Sequence, residues 1–224
     1  MVEASHLVNA NAATGTVVLA DEQTAGVGRL GRSWISAPDV GIYCSVLLRL
    51  PLAPDKLPVA NLVLGLSVAE AIQKATSLSC DLRWPNDVLI SGKKVCGILT
   101  QLVDFCIVAG IGINVNQTEF EPGLRTPATS LFLESGKLQS REQLFIAVLE
   151  SIDSFSKLLH EEGTDAILRA FSANSSYVNE RIVTVEDGGM RGTTAGLDDC
   201  GFLRLRTPDG RLHRISSGGV RAAS

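Results

Sequence analysis

No block of roughly five or more basic residues occurs in this sequence, and its formal net charge is −4. That balance excludes a duplex nucleic-acid binder that works by neutralising phosphates. No run of about 18 uncharged apolar residues is present, so no membrane-spanning helix is expected. The longest candidate, residues 57–69, is too short and is followed by Glu70. A basic start leading into an apolar stretch is also lacking, so no signal peptide is expected. The five cysteines, Cys44, Cys80, Cys96, Cys106 and Cys200, form no CxxC pair, and their number is odd. Scattered, reduced, mostly buried thiols in a cytoplasmic protein are expected, not a zinc site or a disulfide framework. His6, His160 and His213 stand apart from one another and from any acid–base motif, and no serine sits in a G-x-S-x-G string. Acyl-serine hydrolysis therefore has no support. What remains is a chain of 224 residues, 45% hydrophobic, enough for one substantial domain and a small appendage.

Residues 16–20 (TVVLA), 42–48, 80–84, 87–90, 94–102 and 105–111 read as strands, with Ser91–Gly92 as the turn of a hairpin. Residues 2–13, 57–76, 141–160 and 164–171 read as helices; the 141–160 stretch places Leu144, Phe145, Val148, Leu149, Ile152, Phe155 and Leu159 at helical intervals. Residues 119–129 form a Pro/Gly-containing connection. After Ser175 the texture changes to short strand-like runs at 181–185, 190–196, 202–206 and 212–216, separated by Gly-containing turns. A domain boundary is expected near residues 174–179.

Three strings carry chemistry. The first is Gln23-Thr24-Ala25-Gly26-Val27-Gly28-Arg29-Leu30-Gly31-Arg32-Ser33-Trp34. Its glycines let backbone N–H groups approach a ligand. Arg29 and Arg32 supply forks for phosphate or carboxylate oxygens, and Trp34 an aromatic wall. It is neither a Walker A loop, lacking GK[ST], nor a Rossmann fingerprint, because no helix is expected after it. The second is Arg83-Trp84-Pro85-Asn86-Asp87 followed by Lys93-Lys94 and Gly97. Asn86 and Asp87 can bond a ribose or phosphate or hold Mg²⁺, or simply make a turn. Alternation along a strand turns only one of Lys93 and Lys94 inward; Lys94 in that position can neutralise charge on an α-phosphate. The third is Gly110-Ile111-Gly112-Ile113-Asn114-Val115, read as glycines at a strand's end with Asn114 projecting from it.

In this order and spacing, GVGRLGRSW, RWPND, Lys94 to Leu99 (KVCGIL) and GIGINV resemble the biotin–protein ligase family, in the class without a DNA-binding domain. The resemblance runs from about Gly15 to the C-terminus, where Gly192, Gly196, Leu197, Asp198, Gly201 and Leu203 match that family's small last domain. It implies an α+β protein: a mixed-sheet catalytic domain with helices over residues 1–176 and a small SH3-like β-barrel over 177–224. It implies ATP-dependent activation of biotin to biotinyl-5′-AMP and transfer to a lysine of the biotin carboxyl carrier protein of acetyl-CoA carboxylase, with Mg²⁺. Lys94, Arg29 and Arg32 match catalytic positions. Gln23, Gly26, Val27, Gly28, Arg29, Trp34, Lys94, Gly97, Gly110 and Gly112 match positions around biotin and the adenylate, and Asn86, Asp87 and Asn114 positions around ATP and Mg²⁺. It also implies no DNA or membrane partner, and leaves a homodimer open. Lipoate–protein ligase shares the implied fold, but its RxSGGG-like loop is not found; an inactive relic that still docks carrier domains is the other alternative. The sequence departs from the family pattern at Val27, in place of the loop's first arginine, and at Arg83, in place of lysine. The family's strand ending in S-T-N, expected before the first helix, is not in the chain as given, which predicts an unpaired sheet edge.

Overall fold

The computed structural model describes residues 1–223. Its strands are β1 (Val17–Ala20), β2 (Gly41–Leu48), β3 (Asp81–Arg83), β4 (Asp87–Ile90), β5 (Lys93–Val103), β6 (Cys106–Asn114), β7 (Asn179–Val185), β8 (Arg191–Leu197), β9 (Leu203–Arg206), β10 (Leu212–Ile215) and β11 (Val220–Ala222). The helices are α1 (Val2–Asn9), α2 (Pro58–Thr76), α3 (Leu131–Ser135), α4 (Arg141–Glu162) and α5 (Thr164–Ala173). The first six strands form one sheet in the order β1-β2-β6-β5-β4-β3, and the last five a second in the order β10-β9-β8-β7-β11.

Every pairing between these strands is antiparallel. The mixed sheet expected from the sequence is therefore corrected: the only parallel pairing among the described residues is the isolated bridge between Lys94 and Ala128. The connections explain it. β3 to β6 follow one another through tight turns, and a tight turn can join only antiparallel neighbours.

β2 lies between β1 and β6, and all eight of its residues are buried. Its alternation divides them between two faces. Ile42, Cys44, Val46 and Leu48 join the main core with α2, α4 and α5, whereas Leu47 joins Ala4 and Val8 of α1 with Cys106 and Val108. Helices thus cover one face fully, and α1 covers part of the other. The rest of that second face is left for the functional site. α2 and α4 approach closely because small hydroxyls lie between them: Ser67 Oγ donates to the carbonyls of Val63 (2.8 Å) and Ser151 (3.3 Å), and Ser151 Oγ donates to Glu70 Oε1 at 3.0 Å.

The second sheet docks on the first unit through Trp84, whose Nε1 donates to the Gly201 carbonyl at 3.0 Å. Val183, Leu203, Leu205, Ile215 and Val220 belong to the same buried cluster as α2. No helix is long and apolar enough to cross a membrane among the described residues.

Several boundaries differ from the sequence reading. α1 stops at Asn9, where the chain turns through Asn11 at φ 57°. β6 runs on to Asn114, so Gly110 and Gly112 lie inside a strand paired on both sides, not at its end. The short α3 and β11 were not expected.

Candidate active site

The uncovered sheet face has a floor without side chains at its centre. Register pairs Gly97 of β5 with Gly112 of β6, and Gly112 with Tyr43 of β2; the next row of the same face is Leu99, Gly110 and Ser45. Because i and i+2 share a face, Gly97, Gly110 and Gly112 make one smooth slot. The residues that sit on it show why glycine is needed. A Cβ on Gly112 would lie 2.6 Å from Nε1 of Trp34, and one on Gly97 would lie 3.0 Å from the same ring and from Lys94 Nζ. Gly110 lies beneath the Met1 side chain, where a Cβ would meet Sδ at 2.7 Å. The Trp34 Nε1 is buried with no hydrogen-bond partner.

The glycine–arginine loop arches over this floor as a narrow flap. Bridges at Gln23–Ser36 and Val27–Ser33 hold its two limbs, and Trp34 N donates to Gly26 O at 2.9 Å. A side chain at Gly26 would collide with the carbonyl of Trp34. Arg29–Gly31 form one 3-10 turn, with Leu30 at φ 58° and Gly31 at φ 71°. Gln23 Oε1 accepts from Ser36 Oγ at 2.8 Å, which fixes the side chain at the slot's mouth. Val27 is largely exposed but reaches the rim of the slot.

At the other end of the slot lies a charge network. Asp87, on the first residue of β4, takes Lys94 Nζ on Oδ1 (2.6 Å) and Arg83 Nη2 on Oδ2 (2.5 Å). Arg83 is itself 7% exposed and also donates to Thr126. Burial alone would raise the Asp87 pKa, but Lys94 and Arg83 outweigh it and hold the carboxyl below its ordinary value. Lys94 Nζ also stands 5.4 Å from the Trp34 ring centroid. Arg29 Nη1 donates to Asn86 Oδ1 (3.2 Å) and to the Gly218 carbonyl (3.1 Å), while Asn86 Nδ2 donates to Ile98 O at 2.7 Å. Burial lowers the Arg29 pKa, and Asp87 and Glu186 oppose that shift. Arg32 Nη1 pairs at 2.9 Å with Oε2 of Glu186, the residue after β7.

Two cavities result. One of about 70 Å³ lies over the floor, lined by Gln23, Trp34, Lys94, Gly97, Gly110 and Gly112. The other, of about 110 Å³, lies behind the flap, lined by Arg29, Arg32, Arg83, Asp87, Lys94 and Glu186. Gly28, Arg29, Trp34, Asn86 and Lys94 line both. A glycine-floored slot therefore opens into a cationic chamber, and Lys94 stands between them. Such a site suits a molecule with a neutral body and an anionic head.

Asn114 is not among these groups. It is 4% exposed, donates through Nδ2 to Thr129 O (3.0 Å), and accepts from Gln117 Nε2 at 3.4 Å. It thereby ties β6 to the segment before α3 and lines neither cavity. Lys93, as alternation required, turns away to Glu134. Sequence reasoning did not single out Glu186 or Gly218, and it gave Arg83, at the head of the second string, no role in the site. Glu186 and Gly218 lie in loops that flank strands of the second sheet and carry no local motif; the run from Arg83 to Asp87 was the one available signal for the Arg83–Asp87 pair.

Residues 3–116 match the model of the biotin/lipoate A/B protein ligase family, and residues 180–220 that of the biotin protein ligase C-terminal domain. The chain belongs to the biotin/lipoate A/B protein ligase family. Its fold has the same family kinship: the biotin protein ligase from Aquifex aeolicus in complex with biotin and ATP superposes with a TM-score of 0.82 at 35% identity, over 94% of this chain and 90% of that one. Among curated proteins, the biotin–[acetyl-CoA-carboxylase] ligase of Paracoccus denitrificans is 32% identical, covering 87% of this chain and 85% of its own length. The bifunctional ligase/repressor BirA of Bacillus spizizenii is 36% identical over 92% of this chain, which spans 66% of that protein's length. The family models meet both halves of the site: the floor, flap and charge network fall within the first match, and Glu186 and Gly218 within the second.

Proposed function

We propose that this chain is a biotin–[acetyl-CoA-carboxylase] ligase. It activates biotin with ATP and transfers the biotinyl group to a lysine of a biotin carboxyl carrier domain. The observation that carries the reading is the placement of Lys94 where the glycine-floored slot meets the arginine-lined chamber. The neutral ring body of biotin would lie along Gly97, Gly110 and Gly112, with Gln23 and the Gly26–Arg29 backbone (Gly26, Val27, Gly28, Arg29) around it. Its carboxylate would then reach Lys94.

In the first step a carboxylate oxygen bonds to the α-phosphorus of ATP. The bond to the β-bridging oxygen breaks, and pyrophosphate leaves with the electron pair. Lys94 and Arg29 offset the negative charge that gathers on the α-phosphate oxygens, and Arg32 adds to the field of the chamber. In the second step the carrier amine attacks the acyl carbon, AMP departs, and the amine loses a proton. Between the steps the mixed anhydride must be kept from water, which is the work of the flap. In the present arrangement Trp34 lies on Gly97 and Gly112. For biotin to enter the slot of about 70 Å³, Trp34 would have to leave Gly97 and Gly112.

Mg²⁺ fits this protein surface poorly. The carboxylates lining the chamber, Asp87 and Glu186, are each bound by two cationic side chains, so no step is assigned to a protein-bound metal. Residues 1–176 are proposed as the catalytic domain and 177–224 as the C-terminal domain. The test is transfer of labelled biotin to a carrier domain, with Lys94→Ala as control. We expect transfer by the native chain and a loss of roughly 10²–10³-fold in the variant; transfer unaffected by the substitution would remove Lys94 from the reaction.

A further inference from the structure

Both loop arginines are tied to the second sheet. Glu186 follows directly after β7, and its side chain is 6% exposed. Oε2 holds Arg32 Nη1 at 2.9 Å, and Oε1 holds Arg221 Nε of β11 at 2.5 Å. Its backbone N donates to Gly219 O at 2.8 Å. A Cβ on Gly219 would stand 3.2 Å from Oε2, so glycine leaves the carboxylate clear access to Arg32. Next to it, Gly218 at φ 81° turns its carbonyl to Arg29. Burial would raise the Glu186 pKa, but Arg221 and Arg32 outweigh it and hold the group below its ordinary value, so it is ionised at neutral pH.

We propose that Glu186 is a positioning residue for the flap: braced by Arg221, it holds Arg32 against the second sheet so that the closed loop retains the acyl-adenylate. A surface ion pair would contribute little to such a task. Here Arg32 is 41% exposed, but the carboxylate it meets is buried, is anchored on its far side by Arg221, and meets a loop that is otherwise joined to the rest of the molecule by few polar contacts. The C-terminal unit thereby becomes part of the lid. The inference rests on the ligase reading for its consequence, retention of the intermediate, but not for the tether itself.

Two measurements on Glu186→Gln test it. In limited trypsin digestion of the free protein, cleavage after Arg32 is expected to be faster than in the native chain at equal melting temperature. In a single turnover with ATP and biotin and no carrier, escape of the adenylate from the protein is expected to rise about tenfold, the effect of losing one charge-assisted hydrogen bond. In an Arg32→Gln background the same substitution should add nothing further to escape, because Glu186 acts through Arg32. If Glu186→Gln melts early, Glu186→Asp keeps the charge but shortens its reach by one methylene, and faster cleavage is again expected. Unchanged cleavage and unchanged escape would overturn the proposal, as would an equal effect in the Arg32→Gln background. If the native chain forms no adenylate, the ligase reading fails, and the digestion still decides the tether.

Discussion

At the scale of single residues, the site is a set of small decisions about volume and charge. Gly112 leaves room for the Trp34 ring, and in the proposed function that room is taken by biotin. Gly112→Val would put its Cβ 2.6 Å from Trp34 Nε1, inside a strand paired on both sides. Expected are a loss of about 1–3 kcal/mol in stability from overpacking and a steep fall in biotin affinity, read by denaturation and calorimetry. Asp87 decides the charge. With its folded pKa below the ordinary value, it contributes stability that is complete above about pH 4 and is lost as pH falls through the lower folded value. Asp87→Asn should cost roughly 3–5 kcal/mol at neutral pH, since it strands Arg83 and Lys94. It should also flatten the decline in stability on acidification, measured by denaturant titration at a series of pH values. An unchanged acid profile would show that Asp87 does not carry this dependence. At this scale the sequence was legible where chemistry is local. Gln23, Arg29, Trp34, Asn86 and Lys94 meet at one site because the strings that hold them lie on adjacent strands and the flap above. Asn114 lines neither cavity, because the direction of a side chain at a strand's end depends on what covers it, here Thr129 and Gln117.

At the scale of elements, periodicity carried the reading. α2 and α4 were visible because their apolar positions recur at helical spacing, and both are long enough for the pattern to repeat. α2 buries eleven residues, Ile72 among them with no exposure. Ile72→Ala should lower stability by about 2–5 kcal/mol while leaving substrate affinity unchanged; a selective loss of affinity would mean that α2 shapes the slot, not only its support. The elements that escaped notice are short. α3 has five residues and depends on tertiary partners: Ser130 Oγ caps it by accepting from Leu133 N at 3.1 Å, and Lys93 pairs with its Glu134. β11 has three residues and exists because β7 offers an open edge. β6 was read too short because glycines weaken a strand by local preference, whereas here β2 and β5 clamp it from both sides.

At the scale of the whole molecule, the two sheets share one buried cluster, and both contribute to the chamber behind the flap. The change of texture after Ser175 was visible as short runs between glycine-rich turns. Which of those turns would face the first unit was not visible, because docking depends on Trp84, Gly201 and Glu186, residues far apart in the chain and joined by no shared pattern. The glycine–arginine loop alone would not distinguish biotin from another small acid. Its setting, above a glycine floor and beside Lys94, supports an acid with a neutral body held head-on to a cationic chamber. The most direct measurement is pyrophosphate release from ATP in the presence of either biotin or lipoate. Release that depends on biotin and is lost in Lys94→Ala is the expected result; release with lipoate and none with biotin would contradict the account.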